Sequence, residues 1–131
     1  MINKLESIYR LGLNCSTLIE DFHYWQDRYL YIELMENYLN DKINFEIFDK
    51  KFYKLWSYHR DKDKSWEKFI YIINNFKINE FDDFSSLPSK LFTDLDICEL
   101  DPLLRDDYEI NEDELKARTK KILLEIKEQY D

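Results

Sequence analysis

One glycine, Gly12, and two prolines, Pro88 and Pro102, stand in 131 residues, and that scarcity constrains the fold most. A sheet built from many short hairpins needs residues that accept positive φ at its turns, and glycine is the usual supplier. A helical domain asks for few such positions. Hydrophobic residues make up 44% of the chain and aromatic ones 17%. That is ample material for a core and too much for a disordered tail. The length suits one domain, residues 1–131, with one core. The expected fold class is therefore all-α: an antiparallel helical bundle of four main helices plus an N-terminal helical extension.

Hydrophobic spacing places the helices. Thr17-Leu-Ile-Glu20 has the form of a capping box, and the spacing predicts a helix from there to about Leu39. Leu30, Leu34, Met35, Tyr38 and Leu39 share one face of it, and Asn40-Asp41 break it. Asn44 is a good N-cap for the next helix, in which Phe45, Phe48, Phe52, Leu55, Trp56 and His59 recur at helical spacing. Glu46, Asp49, Lys50, Lys54 and Tyr58 fall on its watery face. A shorter helix is expected from Ser65, with Trp66, Phe69, Ile70 and Ile73. The stretch NNFKINEFDDFSS loses the period and is expected to be a loop. Pro88 suits the first turn of a helix that starts beside Ser86 or Leu87 and turns Leu91, Phe92 and Leu95 inward. Asp94 and Asp96 flank that stripe, Glu99 lies at its end, and Asp101-Pro102 closes it. Asn111-Glu-Asp-Glu114 opens the last helix, with acids where the helix dipole favours them. Leu115, Ile122, Leu123, Ile126 and Tyr130 form its apolar stripe.

Composition also narrows function. Two cysteines, Cys15 and Cys98, make no disulfide framework and lack zinc-ligand spacing, so reduced thiols are expected. No apolar run is long enough to span a membrane. The start, MINKLESIYRLGLNC, carries charges where a signal peptide needs an apolar stretch. A cytoplasmic location is expected. Glu20-Asp-Phe-His23 matches one half of a di-iron bundle site, but the other histidine, His59, has Trp56 three residues before it, so no metal and no other cofactor is expected. One glycine rules out a glycine-rich phosphate loop. No nucleophile elbow is present, and His59-Arg60 or His23 with Arg28 makes no convincing ribonuclease pair. The sequence thus argues against an enzyme.

The net charge of −9 argues against direct contact with nucleic acid, and its placement says more. Thirteen acids and two bases lie between Glu80 and Glu114, a net −11, while the remainder of the chain is +2. Any single acid there is explained by solvation. The whole segment is not, because self-repulsion of that size opposes compaction. A negative patch that docks on a basic cleft explains it, since Arg and Lys built for phosphate accept carboxylates in similar geometry. Asp94, beside the inward-facing Leu95, joins that patch on physical grounds, and Asp106 and Asp107 belong to the same run.

Two stretches resemble the immunity proteins of the colicin D type. The first is Tyr31-Ile-Glu-Leu-Met-Glu-Asn-Tyr-Leu-Asn-Asp-Lys-Ile-Asn-Phe-Glu-Ile-Phe48, similar to the family's first helix, its break and the aromatic that opens the second. The other begins at Leu91-Phe92, passes acids and a proline to Arg105-x-x-Tyr108-Glu109-Ile110-Asn111, and continues through Leu115-Lys116 and Ile122-Leu123-Glu125. The chain departs from the family in an extra N-terminal segment and a longer stretch from Trp66 to Phe84. The resemblance implies a helical bundle without enzymatic activity that protects a producing cell by binding the C-terminal nuclease domain of a toxin. That partner would be a basic tRNA-cleaving domain, either of a colicin or of a toxin delivered by cell contact. By position, Asp96 and Glu99 match acids that enter the toxin's active site, and Asp101 is a further candidate. Another target for such a mimic is a different DNA- or RNA-binding protein. Arg105, Tyr108 and Glu109 match the family motif without needing to touch a toxin. Tyr108 and Ile110 are expected to anchor the entry to the last helix, and Arg105 to pair with a nearby acid.

Overall fold

The computed structural model describes residues 15–130. The part of the expected N-terminal extension ahead of Cys15 lies outside the described residues. The described residues form six helices: α1 (Cys15–Gln26), α2 (Arg28–Leu39), α3 (Phe45–Arg60), α4 (Trp66–Asn75), α5 (Ser86–Asp96) and α6 (Glu112–Gln129), with a 3-10 turn at Ile78–Glu80. There is no strand among the described residues, so the fold is all-helical. No helix among them is long and apolar enough to cross a membrane.

Local chemistry sets three of the six helix starts. The Asn44 side chain accepts from the Ile47 N–H at 2.9 Å, Ser65 from Lys68 at 3.2 Å, and Asn111 from Glu114 at 2.8 Å. Each satisfies one of the donors a helix leaves free in its first turn. The turn into α5 is served from a distance instead. The buried Asp21 carboxylate of α1 accepts the backbone N–H groups of Asp83 (3.0 Å) and Ser85 (2.8 Å). Asp83 itself has φ of 64°, a left-handed conformation that Asp tolerates better than most residues.

Two expectations need correction. Thr17 to Leu39 is not one helix: it breaks at Asp27, and Thr17 lies inside α1. Tertiary contacts stabilise the break. Arg28 donates to the Trp25 carbonyl at 3.1 Å at the end of α1, and the Asp27 carboxylate is held by His59 of α3 at 2.7 Å. The loop expected over 74–86 is shorter, since Asn74 and Asn75 belong to α4, Ser86 to α5 and Ile78–Glu80 to a 3-10 turn, and Phe81 and Phe84 within it are fully buried. Periodicity cannot reveal core residues in a segment with no period.

The buried side chains form two clusters. The larger is built mainly from α2, α3, α5 and α6, around Tyr31, Met35, Phe48, Phe52, Leu91 and Leu115, and it includes Tyr24 of α1. The smaller joins α1 and α4 through Ile19, Phe22, Phe69, Ile72 and Phe81. Trp25 packs against both. Tyr38 stacks on Phe48 with ring centres 4.2 Å apart, and Trp56 stacks on Phe92 at 4.1 Å, which fastens α3 to α2 and to α5.

Both histidines are buried, and burial favours their neutral rings. At His59 the Tyr31 hydroxyl donates to Nδ1 (2.7 Å), and Nε2–H donates to the Asp27 carboxylate (2.7 Å). A second proton, on Nδ1, would reverse the bond to Tyr31, whose hydroxyl would then accept. His23 donates through Nε2 to the Asp63 carbonyl at 3.1 Å, and its Nδ1 is buried with no partner. Burial lowers both from the ordinary 6.5. The unfolded chain therefore takes up these protons first, so the stabilisation is complete above pH 6.5 and is lost as pH falls below it. Asp21, pushed up by burial, works in the opposite sense above 3.8. The expected result is a melting temperature that falls as the pH is lowered just below 6.5. A flat profile there would mean that the imidazoles are not held neutral.

Candidate partner-binding surface

The acidic surface is a closed loop between α5 and α6. At its neck the Glu99 N–H donates to the Ile110 carbonyl at 3.0 Å, and the Ile110 N–H donates to the Ile97 carbonyl at 2.9 Å. Ile110 is buried and roots the neck in the larger cluster. Two turns lie within the loop. In Asp101-Pro102-Leu103-Leu104 the Leu104 N–H donates to the Asp101 carbonyl (3.0 Å), and the Asp101 carboxylate accepts from the Leu103 N–H (2.9 Å). Asp before Pro is suited to such a turn. In Asp106-Asp107-Tyr108-Glu109 the Glu109 N–H donates to the Asp106 carbonyl (3.0 Å), and the Glu109 carboxylate accepts from the Asp106 N–H (2.9 Å).

Arg105, between the two turns, ties them back to the stretch of chain that leaves the neck. Its guanidinium donates to the carbonyls of Glu99 (3.0 Å) and Leu100 (3.3 Å). It braces the loop's backbone, where an ion pair with a neighbouring acid was expected. At the exit, the Tyr38 hydroxyl donates to the Glu112 carboxylate at 2.8 Å and ties the start of α6 to α2. A loop closed at its neck and braced inside keeps little freedom to lose on binding.

The structure brings most of the candidate acids together here. Asp101, Asp106 and Asp107 are exposed on the loop, Glu99 is half-buried at its neck, and Asp96 is exposed at the end of α5. Asp94 does not join them. It is buried and forms an ion pair at 3.0 Å with Arg118 of α6, which also holds Glu114 at 3.1 Å. The inward-facing Leu91 and Leu95 set the helix rotation, and Asp94 falls on the α6 side of it. Tyr108 also departs from expectation: it is 69% exposed, so of the two expected anchors Ile110 is the one buried at the entry to α6.

Other residues of this surface were not legible in the sequence. Asp49 of α3 looks like one solvated acid among several, but it lines a groove of about 580 Å³ together with Phe45, Tyr53, Phe92 and Asp96. Burial and the charge of Asp96 raise its pKa from the ordinary 3.8. Leu103 is 92% exposed and Leu104 66% exposed. Their only signal is a pair of adjacent leucines, inside an acidic run, without helical spacing.

Elsewhere the chemistry is structural. Glu20 pairs with Lys64 at 2.6 Å, away from any metal-like grouping with His23. No group of three or more His, Cys, Asp or Glu side chains that could hold a metal occurs among the described residues. Burial pushes the Cys98 thiol up to about 11, the opposite of an activated thiolate. His59 is sealed in the core by Tyr31 and Asp27. No family model, curated protein or solved structure matches the chain.

Proposed function

We propose that this chain is an immunity-type inhibitor that binds the basic active-site cleft of a bacterial toxin ribonuclease and blocks it. Asp96, Glu99, Asp101, Asp106 and Asp107 would stand where tRNA phosphates lie. The observation that carries this reading is the braced loop. It holds its acids on a fixed frame and turns its one base, Arg105, onto its own backbone carbonyls. The charged groups that face outward are then nearly all negative, which suits a Lys- and Arg-lined cleft and speeds association with it. The resemblance to the colicin D-type immunity proteins supports the same reading through Asp96 and Glu99. In this reading the chain is a single cytoplasmic domain without enzymatic activity or cofactor. Its helices α2, α3, α5 and α6 form an antiparallel bundle, and α1 belongs to the N-terminal extension. It touches neither nucleic acid nor membrane.

The test is tRNA cleavage by the nuclease domain of a toxin encoded beside this gene, with and without a stoichiometric amount of the protein. The expected result is loss of cleavage together with a stable complex on gel filtration. Full cleavage with no complex would remove the reading and point the acidic loop at another nucleic-acid-binding protein.

A further inference from the structure

A phosphate mimic needs carboxylates and nothing more, yet this loop also exposes large apolar side chains. Leu103 is 92% exposed, Tyr108 69% and Leu104 66%, and Leu100 adds 41%. They occupy one closed loop in which Asp101, Asp106 and Asp107 are also exposed. Adjacent exposed leucines are unfavourable in water and invite association. Here their position is held: Leu103 and Leu104 sit in the turn fixed by Asp101 and Pro102, and Arg105 braces the backbone behind them.

From this arrangement we infer that Leu103, Leu104 and Tyr108 form an apolar plug within an acidic rim, and that its partner is a protein carrying a non-polar pocket bordered by Lys and Arg. This rests on the inhibitor reading above and adds a second component to the contact. The surrounding charge selects the occupant. Anionic lipid and nucleic acid are repelled by the acids that flank the leucines. A second copy docking through the same face would set like charges against each other. A basic protein surface satisfies both parts of the loop, with carboxylates meeting cations at the rim while the leucines are desolvated at the centre. That is the usual anatomy of a tight interface, with an apolar anchor inside a polar border.

The two parts then act on different rate constants. The acids steer encounter and make association sensitive to salt, whereas the plug sets how long the complex lasts. The experiment is binding kinetics of the same toxin nuclease domain against the wild-type chain, a Leu103→Ser/Leu104→Ser variant and an Asp106→Asn/Asp107→Asn variant, each at low and high salt. Both leucines are largely exposed, so their replacement leaves the fold in place, as a melting curve will confirm. The leucine variant is expected to dissociate about 100-fold faster with its association rate nearly unchanged. The aspartate variant is expected to associate about tenfold more slowly at low salt, with most of the difference gone at high salt. If the wild type binds and the leucine variant dissociates no faster, the plug is refuted while the inhibitor reading stands. If the wild type does not bind the domain at either salt, both fall together. A wild-type dimer that the leucine variant loses, without binding to the nuclease, would overturn the inference in favour of a second copy as occupant.

Discussion

Asp96→Lys combined with Glu99→Lys is expected to abolish inhibition of the ribonuclease domain and to leave the helical fold intact. Reversing two charges turns attraction into repulsion against a basic cleft, and each like-charge contact made there costs several kcal/mol. A loss of about 4 kcal/mol corresponds to roughly a thousandfold in affinity. The fold should tolerate the change because Asp96 is exposed. It also sits in the last turn of α5, which carries no basic residue. A negative charge at a helix C-terminus opposes the helix dipole, so lysine at 96 relieves a local mismatch. The double variant should melt at or slightly above the wild-type temperature and still fail to inhibit. An acid kept where it weakens its own helix fits a role in contact with something else. Undiminished inhibition by a folded double variant would falsify the assignment of this surface.

Phe52→Ala is expected to lower the unfolding free energy by roughly 3–5 kcal/mol, a large part of the 5–15 kcal/mol typical of a domain. Phe52 is 1% exposed and meets the ring of Tyr31 at 5.9 Å and that of Phe48 at 6.4 Å. Both neighbours are themselves fixed, Tyr31 by its hydrogen bond to His59 and Phe48 by stacking on Tyr38. The surroundings therefore cannot collapse easily into the cavity, which argues for the upper half of that range. Urea denaturation followed by tryptophan fluorescence would measure it. A loss below about 1 kcal/mol would mean that the core around Phe52 repacks freely.

Helix type and the core stripes of α3, α4 and α6 were legible because their apolar spacing and side-chain caps are local properties. Asn44, Ser65 and Asn111 each cap the helix they precede. What escaped the sequence depends on partners distant in the chain. The break at Asp27 is held by His59, and the entry to α5 is held by Asp21. Phe81 and Phe84 are buried without any period to announce them. The acidic surface was legible as an accumulation of charge, but its geometry was not. Spacing alone could not separate Asp94, spent on Arg118, from Asp96, which remains exposed two residues later. Nor could it show that Arg105 turns its charge onto carbonyls, or that Asp49 faces the end of α5.

The division of the interior into two clusters also bears on how such a chain can change over generations. The acidic loop is rooted through Ile110 in the cluster of α2, α3, α5 and α6, while α1 and α4 close a cluster of their own, with Trp25 packed against both. Substitutions that lie far apart and share no partner act almost independently. Drift in Ile19, Phe69 or Ile72 is thus largely insulated from the shape of the loop, and new side chains at 103, 104, 106 and 107 disturb neither interior. Recognition can diversify at the loop without renegotiating the scaffold, while Tyr24, Trp25 and the Asp21 link are places where the two histories must stay compatible.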